Sequence, residues 1–429
     1  MQLALPLAAQ QLGFQLMGMV DAALLGRADD AALAGAGIGN SLLFGIVSIG
    51  MGVVMGLDTL LPQSLGAGRP DDARRLLNGG LRLGLIVGLL CTLAVLATPP
   101  LLTLADVPEP VARSARAYLY VRALGIVPFL VSTALRSYFA AHGITRPLLV
   151  AVLLGNVVNA ALDLPLIFGF GPIPALGVVG AATATVTVQI ATLAIYAYAV
   201  RRVDRGAPRA ASTRADLSAI TRLGAPVGGQ LFAEVGIFSL ATVLASHFGE
   251  LSAAAHSIAL NLASFTFSFA LGCGSATGVR VGLAIGAGNR ALARHRASLG
   301  WRVGISFMGA CAVVFLVAPA TVARAFTSDA AVISATVPLL RIAALFQLSD
   351  ATQAIFAGAL RGAGDTRSTF VGNVIGHYLV GLPLCLALAF GAHMGARGLW
   401  WGLSAGLTAT AIYLVVRFQR VTRTSPQNA

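Results

Sequence analysis

Twelve long apolar runs separated by short polar breaks leave this 429-residue chain few ways to fold. Each run is close to the roughly 20 residues an α-helix needs to cross the hydrocarbon of a bilayer. A backbone inside lipid must satisfy its own hydrogen bonds, so runs of this length read as helices. Charged residues make up 10% of the chain, against about a quarter in soluble proteins, and the mean hydropathy is +0.83. The fold class expected is an all-α polytopic membrane protein with twelve transmembrane helices in two six-helix bundles. The spans fall near 3–25, 32–62, 77–99, 116–141, 147–169 and 177–200, then near 220–247, 252–284, 298–322, 333–360, 368–390 and 397–417. No space remains for a soluble catalytic domain. With no HExxH, GxSxG or metal-ligand spacing present, an enzyme is not expected.

The net charge of +13 comes entirely from arginine, since the chain has no lysine. Breaks after even-numbered spans, with the span edges beside them, hold 20 of the 29 arginines, among them Arg69, Arg74, Arg75, Arg201 and Arg420. Breaks after odd-numbered spans hold five: Arg27, Arg113, Arg116, Arg324 and Arg397. This alternation is the positive-inside pattern, which places both termini and the long middle loop in the cytoplasm. Topology therefore accounts for the charge, and no nucleic-acid partner is implied. The stretch from Arg201 to Asp216 is basic, rich in small residues and free of apolar periodicity. It reads as a linker, giving a first lobe at 1–200, a cytoplasmic linker at 201–218 and a second lobe at 219–429. Its charges also suit contact with anionic lipid. Cys91, Cys273, Cys311 and Cys385 lie far apart inside apolar runs and read as packing residues. The apolar start lacks a basic leader and a small-residue cleavage site, so a removable signal peptide is not expected.

Sliding the chain on itself by 220 residues superposes Pro6 on Pro226, Gln10 on Gln230, Leu24 on Leu244 and the GAG at 66–68 on the GAG at 286–288. A shift of 221 places Thr145 and Arg146 on Thr366 and Arg367. The halves are thus an internal repeat. With an even number of spans in each, both insert in the same orientation, and a substrate site is expected between them.

Only 16 carboxylates exist, and those inside spans are Asp21, Asp58, Asp163, Glu234 and Asp350. A charge at bilayer depth costs at least about 2.5 kcal/mol, so these residues are functional candidates. Under the repeat, Asp21 falls opposite Ala241, Glu234 opposite Phe14, Asp350 opposite Leu130 and Asp163 opposite Pro383. The scaffold is duplicated and the acids are not. In the fifth span, Asn156, Asn159 and Asp163 share one helical face, where with Asp21 they offer hard oxygen ligands to Na⁺ or a proton. The competing reading is an interhelical hydrogen-bond cluster. Glu234 and Asp350 lie midway along the seventh and tenth spans, flanked by Gln230, Gln347 and Gln353. Carboxyls in that setting suit proton exchange or a cationic substrate. For Asp58, functional and structural readings stand level. Arg122, Arg136, Arg280 and Arg341 read mostly as snorkelling side chains.

At these residues, in the stretches from Ala4 to Arg27, Leu223 to Asn261, Gly278 to Asn289 and Arg341 to Arg367, the chain resembles the multidrug and toxic compound extrusion (MATE) family. The resemblance spans essentially the full length and is strongest to the bacterial NorM-type branch, which combines acids at the positions of Glu234 and Asp350. It implies a secondary active transporter of a bacterial inner membrane, exporting cationic amphipathic compounds in antiport with H⁺ or Na⁺ by alternating access of two lobes. It also implies a cation or proton site at Asp21, Asn159 and Asp163, with Thr183 or Thr185 as a further ligand, and Glu234 and Asp350 as the acids of the second lobe. No cofactor beyond the coupling ion is expected. The partners implied are small organic cations and membrane lipids, and the chain is expected to be a monomer. Asp163 stands where related members often have Asn, which strengthens the first site. Phe346 stands where some have Tyr, which weakens a Na⁺ site in the second lobe. The alternative is a lipid-linked precursor flippase of the same superfamily, for which an arginine-rich cleft and extra helices are expected.

Overall fold

The computed structural model describes residues 3–172, 174–203 and 211–423. The middle of the expected linker, residues 204–210 with Arg205, lies outside the described residues. Helices are the only multi-residue regular elements among those described. The first half contains α1 (Ala4–Ala28), α2 (Asp30–Val54), α3 (Leu57–Gly66), α4 (Pro70–Leu96), α5 (Pro99–Leu104), α6 (Glu109–Ala141), α7 (Arg146–Phe168) and α8 (Val178–Val203). The second contains α9 (Arg214–Ser246), α10 (Glu250–Gly286), α11 (Arg290–Val317), α12 (Pro319–Arg324), α13 (Ala330–Ala363), α14 (Thr366–Val374), α15 (Leu382–Leu386) and α16 (Ala396–Thr422). Two π-helical segments, Ile375–Gly381 and Ala387–Gly391, flank α15 and complete the eleventh span. The second span breaks at Met55 and Gly56, between α2 and α3.

Eleven helical segments are long and apolar enough to cross a membrane. The remaining one, α1, has 25 residues, but Gln10, Gln11, Gln15 and Asp21 dilute its apolar character. The twelve-span, multi-pass architecture read from the sequence is therefore borne out. Helix starts follow ordinary capping chemistry. Asp29 accepts from the amides of Ala31 and Ala32 at 3.3 and 3.0 Å, and Asp329 from that of Ala331 at 2.8 Å, satisfying N–H groups that the first turn leaves open.

The described chain forms two compact units. The N-terminal unit comprises Ala9–Leu61 and Arg69–Gly228, and the C-terminal unit comprises Met1–Ala8, Pro62–Gly68 and Gly229–Ala429. In the N-terminal unit α6 packs on α2, α4 and α8, and α7 on α8. In the C-terminal unit α13 is central, packed on α10, α11 and α16, around a core holding Phe315, Phe346, Leu399 and Trp400.

The repeat reappears as equivalent contacts. Inside the N-terminal unit a Cβ at Gly52 would overlap the backbone of Val227 and Gly228. Inside the C-terminal unit a Cβ at Gly272 would overlap Leu7 and Ala8, which are the same pair of positions displaced by 220. Gly66 likewise abuts the carbonyl of Leu283, and its counterpart Gly286 abuts that of Gln63. Small residues that admit a neighbouring backbone drive helix association in lipid, where no hydrophobic force acts between helices.

One such seam joins α10 to α13, where Gly278 faces the carbonyl of Gly358, Gly358 that of Gly274, Gly362 that of Gly278, and Gly274 that of Ala354. A methyl group there has only backbone to displace. We expect Gly358→Ala to cost about 1–3 kcal/mol by overpacking and to lower the thermal midpoint of the detergent-solubilised protein. Gly37→Ala, where nothing lies within 4 Å of a new Cβ, should leave it unchanged or raise it.

Candidate functional site

Asp21 lies in the interior of α1, Asn159 and Asp163 one turn apart on α7, and Thr185 on α8. The spacing on α7 turns both of its polar groups inward, where Asn159 is 1% and Asp163 0% exposed. The Thr185 hydroxyl donates to the Asp21 carboxylate at 2.9 Å and also to its own helix at the Ala181 carbonyl at 3.0 Å. Asp163 and Asn159 lie beside Asp21, close enough to interact directly with its carboxyl group. Both carboxyl oxygens of Asp163, Oδ1 of Asp21 and Nδ2 of Asn159 are buried without a geometric hydrogen-bond partner. Two carboxyl groups facing one another are acceptors without a donor between them. One proton, or one small cation held by these oxygens, supplies what the pair lacks.

Thr183 does not join this cluster. Its hydroxyl donates to the Val179 carbonyl at 2.7 Å, and a threonine two positions from Thr185 points to a different face of α8. Asn156 likewise bonds its own helix, donating to Val152 at 2.8 Å. Arg122 on α6 departs from the snorkelling expectation. Its Nε and Nη1 are buried without a hydrogen-bond partner, its guanidinium stands 5.7 Å from the Tyr118 ring, and its charge acts on Asp21.

In the C-terminal unit Asp350 is buried and Glu234 half-buried. Glu234 Oε1 accepts from Gln230 at 3.1 Å, from Gln353 at 2.7 Å and from Asn373 at 2.5 Å. Three amide donors on three different elements thus converge on one carboxylate oxygen. Asp350 is 6% exposed on α13, and its charge and that of Glu234 act on each other. Arg361, 5% exposed further along α13, acts on Glu234 with the opposite sign. Gln347 belongs elsewhere, exchanging hydrogen bonds with Thr266 at 2.7 and 3.0 Å. Phe346 offers no oxygen and packs edge-on against Trp400 and Phe238. Asn373 escapes a reading based on charge, because a lone amide in an apolar span is unremarkable by composition. Its position just ahead of the π-helical Ile375–Gly381 is the local irregularity that marks it.

Asp58 takes the structural reading. Its carboxylate lies 3.3 Å from Arg136, and both side chains are largely buried, at 13% and 14% exposure.

A family model described as MatE matches residues 6–164 and 226–387, the second stretch starting 220 residues after the first. The chain belongs to the MatE family. The resemblance read from the residues is thereby borne out. A probable multidrug resistance protein NorM from Deinococcus radiodurans is 37% identical, covering 99% of this chain and 95% of that protein. Another, from Pseudomonas putida, is 35% identical over 98% and 93%. Among solved structures, the eukaryotic MATE transporter AtDTX14 superposes with a TM-score of 0.88 at 22% identity, over 98% of this chain and 96% of that one. A Pyrococcus furiosus MOP superfamily transporter, described as having a binding pocket of reverse polarity that suggests a different function, superposes at 0.91 with 20% identity, over 99% and 96%. These likenesses show a shared fold, and a fold does not by itself fix a function.

Breaking a buried ion pair leaves one charge uncompensated, at a cost of about 3–5 kcal/mol. Asp58→Asn and Arg136→Gln should each destabilise this MatE-family protein by about that amount in unfolding titrations. The double variant should fall well short of the sum. Additive losses would show that the two side chains do not act as a pair.

Proposed function

We propose that the chain is a secondary active multidrug efflux transporter that exports cationic, amphipathic compounds in antiport with a monovalent cation. The observation that carries this reading is the buried pairing of Asp21 with Asp163, two carboxyl groups with no donor between them. Such a pair is unstable fully ionised at bilayer depth and gains one proton or ion at a time. The names of the NorM relatives support the substrate class. The arginine distribution supports a bacterial inner-membrane protein with both termini in the cytoplasm.

The coupling ion reaches Asp21, Asn159, Asp163 and Thr185 from outside. Binding repacks α1 and lowers the affinity for the bound compound, which leaves outward. Reciprocity then requires the compound to weaken ion binding equally. One-for-one exchange of a monovalent organic cation for the ion moves no net charge, so the ion's concentration gradient is the driving force, and each tenfold ion gradient, about 1.4 kcal/mol, sustains about a tenfold gradient of the compound. The positive charge of Arg122 beside Asp21 opposes H⁺ and Na⁺ alike; H⁺ is taken as the coupling ion because two adjacent carboxyl groups share one proton without further ligands. Glu234, with Gln230, Gln353 and Asn373, and Asp350 attract the organic cation in the C-terminal unit. The protein works as a monomer.

Transport of a fluorescent organic cation in proteoliposomes, under separately imposed Na⁺ and H⁺ gradients, tests the reading. Export driven by the pH gradient alone is expected. Asp21→Asn and Asp163→Asn should each reduce it at least a hundredfold while the protein keeps its thermal stability. Undiminished transport in either variant would sink the proposal. Glu234→Gln and Asp350→Asn should weaken binding of the dye at least tenfold, measured at equilibrium without a gradient.

A further inference from the structure

The C-terminal unit contains a cavity of about 330 Å³, lined by none of the acids described above, between the start of α1 and the facing flanks of α10 and α11. Leu3, Leu299 and Val303 give it an apolar wall, and Ala276 and Gly300 keep it open. Arg280 and Arg296 line the same cavity, both exposed. Neither has a salt bridge among the described residues.

The depth of these arginines follows from helix geometry. Arg280 is six residues from the end of α10 at Gly286, and Arg296 six residues from the start of α11 at Arg290. At 1.5 Å per residue each is about 9 Å from its helix end. The 37 residues of α10 reach about 55 Å, well beyond the roughly 30 Å of hydrocarbon. Both guanidinium groups thus lie at the level of the lipid headgroups, with the apolar wall continuing toward the acyl chains.

The internal repeat shows that this charge is specific to one half. In the first half, every arginine of the turn between the second and third spans is paired: Asp72 with Arg69 and Arg75 at 3.2 Å, and Asp71 with Arg74 at 3.3 Å. Displaced by 220, Asp71 and Asp72 become Ala291 and Leu292, Arg69 and Arg75 become Asn289 and His295, and Leu60, Pro70 and Leu76 become Arg280, Arg290 and Arg296. No Asp or Glu occurs between Glu250 and Asp329, so α10 and α11 carry no acid at this end. Both acids are lost and the arginines rise by one, with two of the gained arginines at a cavity whose remaining wall is largely apolar.

We propose that this cavity binds an anionic phospholipid, with the headgroup phosphate between Arg280 and Arg296 and an acyl chain along Leu3, Leu299 and Val303. Basic pockets between helices at the cytoplasmic face suit such headgroups, and the proposed topology puts this end of α10 on that face. Two guanidinium groups can each give a phosphate paired N–H donors. The site needs both parts of the ligand, which separates a lipid from a free phosphate ion.

Native mass spectrometry of the full chain released from detergent, titrated with dioleoylphosphatidylglycerol, dioleoylphosphatidylcholine or inorganic phosphate, decides the matter independently of transport. The wild type should bind the glycerol lipid at least tenfold more tightly than the choline lipid. Arg280→Gln combined with Arg296→Gln should abolish that preference, and Arg280→Lys with Arg296→Lys should keep it within threefold. Val303→Asp, which spoils the apolar wall, should weaken binding of the glycerol lipid at least fivefold. Equal affinity for the two lipids, an undiminished preference in the double Gln variant, or inorganic phosphate binding as tightly as the lipid would each overturn the assignment.

Discussion

Hydrocarbon offers a backbone amide no water, and the whole architecture follows from that shortage. Each span closes its own hydrogen bonds as a helix. With no hydrophobic force between them, helices associate through close approach and shared polar groups. The glycine contacts of α10 with α13 and the equivalent pairs at Gly52 and Gly272 are the first solution. The amide cluster on Glu234 is the second, where Gln230, Gln353 and Asn373 make a half-buried charge tolerable. Asp21 with Asp163 is the exception. It leaves acceptors facing acceptors, and the remaining parts of the N-terminal unit hold that arrangement in place.

The duplication supplies two copies of one scaffold, and divergence gives each copy its own chemistry. The first half keeps an acid pair, with Arg122 nearby and acids that pair with the arginines of its polar turn. The second half keeps Glu234 and Asp350, has no acid on α10 beyond its first turn and none on α11, and gathers arginines at one cavity. A contact that recurs after a displacement of 220 residues belongs to the scaffold. A side chain that does not recur was selected for something else, or drifted.

Much of this was legible in the sequence, because charge in an apolar run is costly enough to stand out. Asn159 and Asp163 could be grouped from helical spacing, and the resemblance to the MATE family added Asp21 from another span; the structure brings the three together. Between Thr183 and Thr185 the sequence offered no choice. Only the rotation of α8 toward α1 selects Thr185. Gln347 precedes Asp350 by three residues, about 60° around the same helix, yet its amide turns to Thr266 of α10. Pairing of Asp58 with Arg136 spans 78 residues and depends on which helices become neighbours. Asn373 was invisible for a different reason, being neutral in a run where neutrality is the rule.

The π-helical turn that follows Asn373 has a geometric corollary. A π turn accommodates one residue more than an α turn over the same length of axis. Were Ile375–Gly381 to return to α geometry, everything beyond it would rotate by about one residue's step. Tyr378, whose hydroxyl now donates to the Ala233 carbonyl next to Glu234, would then swing off α9 while Asn373 stayed in place. The π geometry of the eleventh span is thus what sets Tyr378 and Asn373 on the same stretch of α9, at Ala233 and Glu234.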